Sequence, residues 1–316
     1  MSTELREPAV GEEEDPPTAG QEETGSKGSP ALGRRGASAF VAPSAGLVGV
    51  FMIFPALWTL YLGLTNLRLT GAAARDPSFV GFENFSRLFS DSQFYDSLYI
   101  TFVFVLGSAV FGQVVLGFVL AFIYRGMRDR IRKLVEFLAI VAWIIPGSVV
   151  AFLWVALLHP SDGTLNAILP EALRADWLLA YPMASIIIFN IWRGTAFSML
   201  LFAAALSSVP PSHMETARLA GASSLQQLRD VILPTIRGHI LTALLLLSLW
   251  TFNLFTPYLL TAGGPNRQTE ILPVYIFRVA LNRGELGYGA AISAVMLVIN
   301  LAVALFYIHV LRERKR

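Results

Sequence analysis

The stretch from Ser207 to Pro234 reads SSVPPSHMETARLAGASSLQQLRDVILP. It is the longest amphipathic, charge-bearing segment between strongly apolar runs. Ser212 and Glu215 have the spacing of a capping box, which predicts a helix start. Gly221 suits the left-handed residue that closes a helix. A second start signal follows at once, at Ser223 with Gln226 or at Ser224 with Gln227. Proline lacks an N–H and biases the residue before it away from helix, so the second helix is expected to end before Pro234. The prediction is helix, glycine bend, helix, with a polar surface suited to docking into a partner's groove.

What flanks this stretch is apolar. Of the 316 residues, 54% are hydrophobic and the mean hydropathy is +0.58, above the usual share for a soluble domain. Six runs reach the roughly 20 residues that cross a bilayer. They lie near 40–64, 98–124, 137–158, 183–206, 240–260 and 290–311. The expected fold is an all-α membrane protein of six transmembrane helices, occupying 38–316, with a loop at 207–239. Residues 1–37 are rich in Glu, Gly, Pro and Ser and are expected to be disordered. They do not read as a signal peptide, because the start is acidic and no short apolar core follows it.

Basic residues set the expected orientation. Arg34, Arg35, Arg125, Arg128, Arg130, Arg132, Lys133, Arg218, Arg229, Arg237, Arg312, Arg314, Lys315 and Arg316 fall on one side of the six spans. Only Arg68, Arg75, Arg87, Arg174, Arg267, Arg278 and Arg283 fall on the other. Both termini and the 207–239 loop are therefore expected in the cytoplasm.

The same loop carries a family resemblance. Glu215-Thr216-Ala217, three residues, Gly221, nine residues and then Val231-Ile232-Leu233-Pro234 resembles the E-A-A-x3-G-x9-I-x-L-P loop of binding-protein-dependent ABC importer permeases. Thr216 replaces the middle alanine and Val231 the isoleucine. The resemblance implies the type I ABC importer permease fold. It also implies that Glu215, Thr216, Ala217, Gly221, Leu233 and Pro234 form the coupling helix seated on an ATPase. Phe79-Val80-Gly81-Phe82-Glu83-Asn84-Phe85 and Leu260-Thr261-Ala262-Gly263-Gly264-Pro265 resemble two further segments of the sugar-type permeases. From the residues alone, the first is an amphipathic surface helix and the second a turn. Residues 270–282 read as another interfacial helix.

Polar groups inside spans usually face a bundle interior or a water-filled path. Asn190, Gly194 and Ser198 share one helix face, with Arg193 beside them. Thr251 and Asn253 stand about 200° apart on an ideal helix. The resemblance places a substrate cavity among these spans, so Asn190, Arg193, Gly194, Ser198, Thr251 and Asn253 are candidate path residues. Neutral amides and hydroxyls with aromatic faces suit a sugar. Helix packing is the alternative for each of them.

Other classes are disfavoured. With no cysteine and four scattered histidines, no metal site is expected. The net charge of +2 does not suggest nucleic acid. There is no G-x-x-x-x-G-K-[ST], so the chain is expected to bind no cofactor and to catalyse no reaction itself. The resemblance implies ATP and Mg use by two partner ATP-binding subunits, a second homologous permease in a heterodimer, and an extracytoplasmic solute-binding protein, all at a bacterial plasma membrane. The expected function is import of a mono-, di- or oligosaccharide. Import of a polyol phosphate or an amino acid is the alternative. An ATPase-independent secondary carrier would need interrupted repeats or buried carboxylates in spans.

Overall fold

The computed structural model describes residues 34–313. Most of the expected tail, residues 1–33, lies outside them, as do Arg314, Lys315 and Arg316. Contacts divide the chain into Met1–Phe54 and Pro55–Arg316. Within the first unit, helix α1 (Arg34–Val48) begins four residues inside the expected tail and continues through a wider π turn at Gly49–Ile53.

The second unit begins at the second residue of α2 (Phe54–Gly63) and continues to a short α3 (Glu83–Phe89). Then come α4 (Ser92–Tyr124), α5 (Asp129–Ile144), α6 (Gly147–Leu157) and α7 (Pro182–Ser207). The chain closes with α8 (Pro211–Leu219), α9 (Ser224–Phe252), α10 (Leu272–Asn282) and α11 (Leu286–Arg312). Five helices are long and apolar enough to cross a membrane: Val41–Gly63, α4, α7, α9 and α11. The pair α5 and α6 is apolar and long enough to count as a sixth only if taken together, and it is bent by 93°.

Three expectations are corrected. The span near 137–158 is broken rather than straight, because Pro146 withholds an N–H at the Ile145–Pro146 junction. The helix expected to stop before Pro234 instead runs through it into the span expected at 240–260. A π turn at Gln227–Ile232 absorbs the proline, since the wider coil relieves its ring of the carbonyl four residues back. The Thr235 hydroxyl donates to the Val231 carbonyl at 2.6 Å. Finally, residues 270–282 do not lie along a surface. Leu272, Val274, Tyr275 and Val279 of α10 are at most 2% exposed, and α10 packs into the core with α4 and α11.

The core is built on α7, which packs against α4 along a row of glycines. A methyl on Gly112 would lie 2.2 Å from Ile191, and one on Gly117 2.3 Å from Ser198. Small residues permit this approach where lipid offers no hydrophobic drive for helix association. At the end of α2, Asn84 donates to the carbonyls of Gly63 at 2.9 Å and Thr65 at 2.8 Å. The asparagine of the Phe79–Phe85 segment thus ties off a helix terminus. Thr261 and Thr269 close the Gly263-Gly264-Pro265 turn through hydroxyls 2.7 Å apart.

Candidate coupling element and mid-span cleft

Helix α8 starts two residues earlier than its capping-box signal. Pro211 occupies the first turn with Pro210 as N-cap, and no side chain caps it. Proline is pre-organised there and lacks the N–H that would otherwise go unmet. Ser212 therefore lies inside the helix, where its carbonyl accepts from the Thr216 hydroxyl at 2.9 Å. The expected Ser212–Glu215 box does not form, and Glu215 is left exposed. No partner for its carboxylate is found among the described residues.

The end of α8 matches expectation. Gly221 has φ +76°. Its N–H donates to Arg218 O at 3.0 Å, and the Ala222 N–H to Ala217 O at 2.9 Å, the paired bonds of a Schellman closure. Of the two start signals that follow, Ser223 with Gln226 is realised. Ser223 N–H donates to Gln226 Oε1 at 2.7 Å, and Gln226 N–H to Ser223 Oγ at 3.3 Å.

This element has two faces. Val209, Met214 and Ile232 are buried and join the main core, seating α8 on the bundle. Glu215 and Leu219, one turn apart, face away from it. Leu219 is 90% exposed and Leu225, across the glycine bend, 73% exposed. Ala217 is half-buried, Thr216 exposed, Leu233 half-buried and Pro234 exposed.

The path candidates divide. Asn190, Arg193, Gly194 and Thr251 come together in a cleft between α4, α5, α7 and α9 that encloses about 30 Å³, the room of one or two waters. Ser198 and Asn253 do not line it. Ser198 is fully buried against Gly117, and its hydroxyl has no hydrogen-bond partner among the described residues. Asn253 turns to the other side of α9 and pairs its amide with that of Asn300 at 3.1 Å.

Much of the cleft's polarity is already engaged. Asn190 Nδ2 donates to Ser108 Oγ at 2.8 Å and to Thr251 Oγ1 at 3.3 Å. Gln113 Nε2 donates to the Asn190 carbonyl at 2.9 Å. A methyl on Gly194 would lie 2.2 Å from Gln113 Cδ, so this glycine admits the amide. The face shared by Asn190, Gly194 and Ser198 is therefore the one that meets α4. Arg193 differs. It has no carboxylate partner among the described residues, and its guanidinium lies over Gly147, where a methyl would come within 2.7 Å of a guanidinium nitrogen.

Sequence reasoning missed Gln113, Trp143 and Phe197. Trp143 stacks on Phe197 with centroids 5.1 Å apart, and Trp250 stands edge-on to Trp143 at 6.0 Å. Gln113 had a signal, as the lone amide in 98–124. Trp143 had one in its place three residues before the helix-breaking Pro146.

Residues 113–316 match a family described as the binding-protein-dependent transport system inner membrane component. The chain is 30% identical over 273 residues to the inner membrane ABC transporter permease protein YcjO of Escherichia coli, covering 84% of this chain and 90% of that one. It is 26% identical over 282 residues to the sulfoquinovosyl glycerol transport system permease protein SmoG of Agrobacterium fabrum, covering 87% and 89%. Its fold is similar to that of a chain of a bacterial ABC transporter involved in the import of the acidic polysaccharide alginate. The TM-score is 0.75 at 24% identity, covering 89% of this chain and 96% of that chain.

Proposed function

We propose a mechanism from one premise: the chain belongs to the family of binding-protein-dependent transport system inner membrane components. It is a multi-pass membrane subunit of an ABC importer, a transport subunit rather than an enzyme. The solute we propose is a sugar, delivered from outside by a binding protein. The proposed assembly adds two ATP-hydrolysing subunits, which bind the ATP and Mg, and a second permease chain.

The observation that carries this reading is the outward face of α8. Glu215 and Leu219 are exposed, with no partner among the described residues, on a helix whose opposite face is locked into the core by Met214. A carboxylate beside an apolar tip suits a groove with an apolar floor and polar rim. Closure of an ATPase dimer would carry α8 with it and rock the spans as a rigid unit. On this reading the 207–239 loop and both termini lie in the cytoplasm, the side favoured by the distribution of basic residues.

The test is purification of the tagged chain in mild detergent with mass spectrometry of what accompanies it. Near-stoichiometric recovery of a P-loop ATPase and a second six-span chain is expected. Glu215→Lys should lose the ATPase while the chain stays in the membrane. Purification of the chain alone would sink the reading.

A second reading of the solute rests on Arg193. An uncompensated guanidinium beside the aromatic cleft favours a saccharide or polyol bearing a sulfonate, carboxylate or phosphate. Uptake competition between a neutral sugar and its phosphorylated or uronic counterpart decides between the two. If Arg193→Gln weakens both alike, the anionic reading fails.

A further inference from the structure

A second, larger cleft has no part in the reading above. It encloses about 620 Å³ between the end of α4, the start of α5 and the last turns of α7. Arg125, Arg132 and Lys133 line it, against one carboxylate, Glu136. Arg132 is paired with Asp129 at 2.9 Å, and Glu136 accepts from the Tyr124 hydroxyl at 3.4 Å. Arg125 and Lys133 have no carboxylate partner among the described residues. Burial, and then the nearby charge of Arg218, pull the Arg125 guanidinium below its ordinary value. The cleft is thus short of negative charge.

Its position narrows what would supply that charge. Arg125 is the first residue beyond the apolar span Ser92–Tyr124, the depth at which lipid headgroups lie. The floor is apolar, with Leu200, Leu206, Val209 and Met214. Ile131 and Leu134, on the first turns of α5, are 47% and 56% exposed, so apolar surface flanks the basic residues. An aqueous anion needs no such surface, whereas a lipid with charged head and apolar tail needs both.

We propose that this cleft binds the phosphodiester headgroup of an anionic phospholipid, held by Arg125 and Lys133. Basic pockets between spans suit such headgroups. Because Met214 and Val209 form the floor, an occupied cleft would also brace α8 against α5. The proposal needs only that these helices cross a membrane, and stands whether or not an ATPase docks on α8.

The test is native mass spectrometry of the purified full-length protein, in whatever assembly it purifies, with phosphatidylglycerol or phosphatidylcholine added. The variants are Arg125→Gln with Lys133→Gln, and as control Arg128→Gln with Arg130→Gln. The control pair, Arg128 at the N-cap of α5 and Arg130 in its first turn, is exposed and outside the cleft, and removes the same charge. The parent and control should retain phosphatidylglycerol. The cleft variant should hold it about thirtyfold more weakly, at roughly fivefold per basic side chain. Equal loss in both variants would show diffuse surface attraction, and no loss in either would show binding elsewhere. Equal retention of phosphatidylcholine would reduce the cleft to an apolar groove. Displacement of the lipid by inorganic phosphate would make it a free-anion site. Each of these four results overturns the proposal.

Discussion

Gly117 and Ser198 meet face to face where α4 and α7 cross. A methyl on Gly117 would lie 2.3 Å from the Ser198 hydroxyl oxygen, 2.6 Å from its Cβ and 2.9 Å from the backbone nitrogen of Met199. The last of these atoms belongs to the main chain and has no rotamer to escape into. The two helices can pack here only because residue 117 has no side chain.

Gly117→Ala should therefore destabilise the bundle by about 1–3 kcal/mol, the usual range for overpacking a closed core. Adding Ser198→Gly should recover part of the loss, since it removes two of the three clashes. Thermal unfolding in detergent measures both. A Gly117→Ala protein as stable as the parent would mean the helices are free to separate.

At Gly221 the constraint is conformational instead. Nothing lies within 4 Å of where its Cβ would be, but φ is +76°. A β-branched residue strains there, at about 1–2 kcal/mol, whereas asparagine tolerates the region. Gly221→Val is expected to abolish uptake and to leave membrane insertion intact. Gly221→Asn should retain a substantial part of transport. If the two variants transport equally well, the bend angle does not matter for coupling.

Asn84 separates a structural role from a recognition role. Its amide serves two carbonyls at the end of α2. Asn84→Ala leaves both without that donor, which costs about 1–3 kcal/mol. Solute affinity should be unchanged in the protein that remains folded. A shift in the uptake KM without loss of thermal stability would assign the segment to recognition instead.

Stability should fall at both ends of the pH scale, and one cluster contributes to each. Burial pushes Asp91 up, but hydrogen bonds from Tyr275, Tyr288 and the Gln93 N–H outweigh it and hold its carboxyl below the ordinary value. The Tyr288 hydroxyl donates at 2.6 Å. A lowered folded value gives stability present above the ordinary carboxylate range and lost as pH falls through it. Tyr275 is pushed up to about 12, by burial first and then by its bond to Asp91. Its contribution is whole below the ordinary tyrosine value and lost as pH rises through about 12. Asp91→Asn should flatten the acid limb and also make the alkaline loss smaller, because Tyr275 falls back toward its ordinary value. Melting temperature against pH tests this, and an unaltered profile would remove Asp91 from both limbs.

The parts of the fold legible in the sequence were those set by composition over a long window. Apolar length located the spans, and the glycine at 221 marked its own bend. Local signals failed where packing overrode them. Pro234 reads as a helix end, but a π turn just before it carries the helix on. Residues 270–282 read as interfacial because their polar residues are visible in sequence, while the Asp91 carboxylate that draws Tyr275 inward lies almost two hundred positions away. In the cleft, Asn190 and Thr251 were legible as polar groups in apolar runs. That Ser198 meets a glycine, and Asn253 another asparagine, depends on which helices are neighbours, and periodicity within one helix carries no such information.

The passage of α9 through Pro234 makes one continuous helix of what was expected to be a loop helix and a separate span. Its 29 residues measure about 43 Å at the α-helical rise. The glycine bend at 221 is attached to one end and the cleft residues Trp250 and Thr251 stand near the other. The helix's π turn and proline lie near the Ser224 end, and beyond them the 20 residues Leu233–Phe252 form an uninterrupted α-helical lever. A tilt of about 10° imposed at Leu233 would displace the far end of that segment by roughly 5 Å. Force applied near α8 and rearrangement of the aromatic wall would then be simultaneous, two readings of a single rotation.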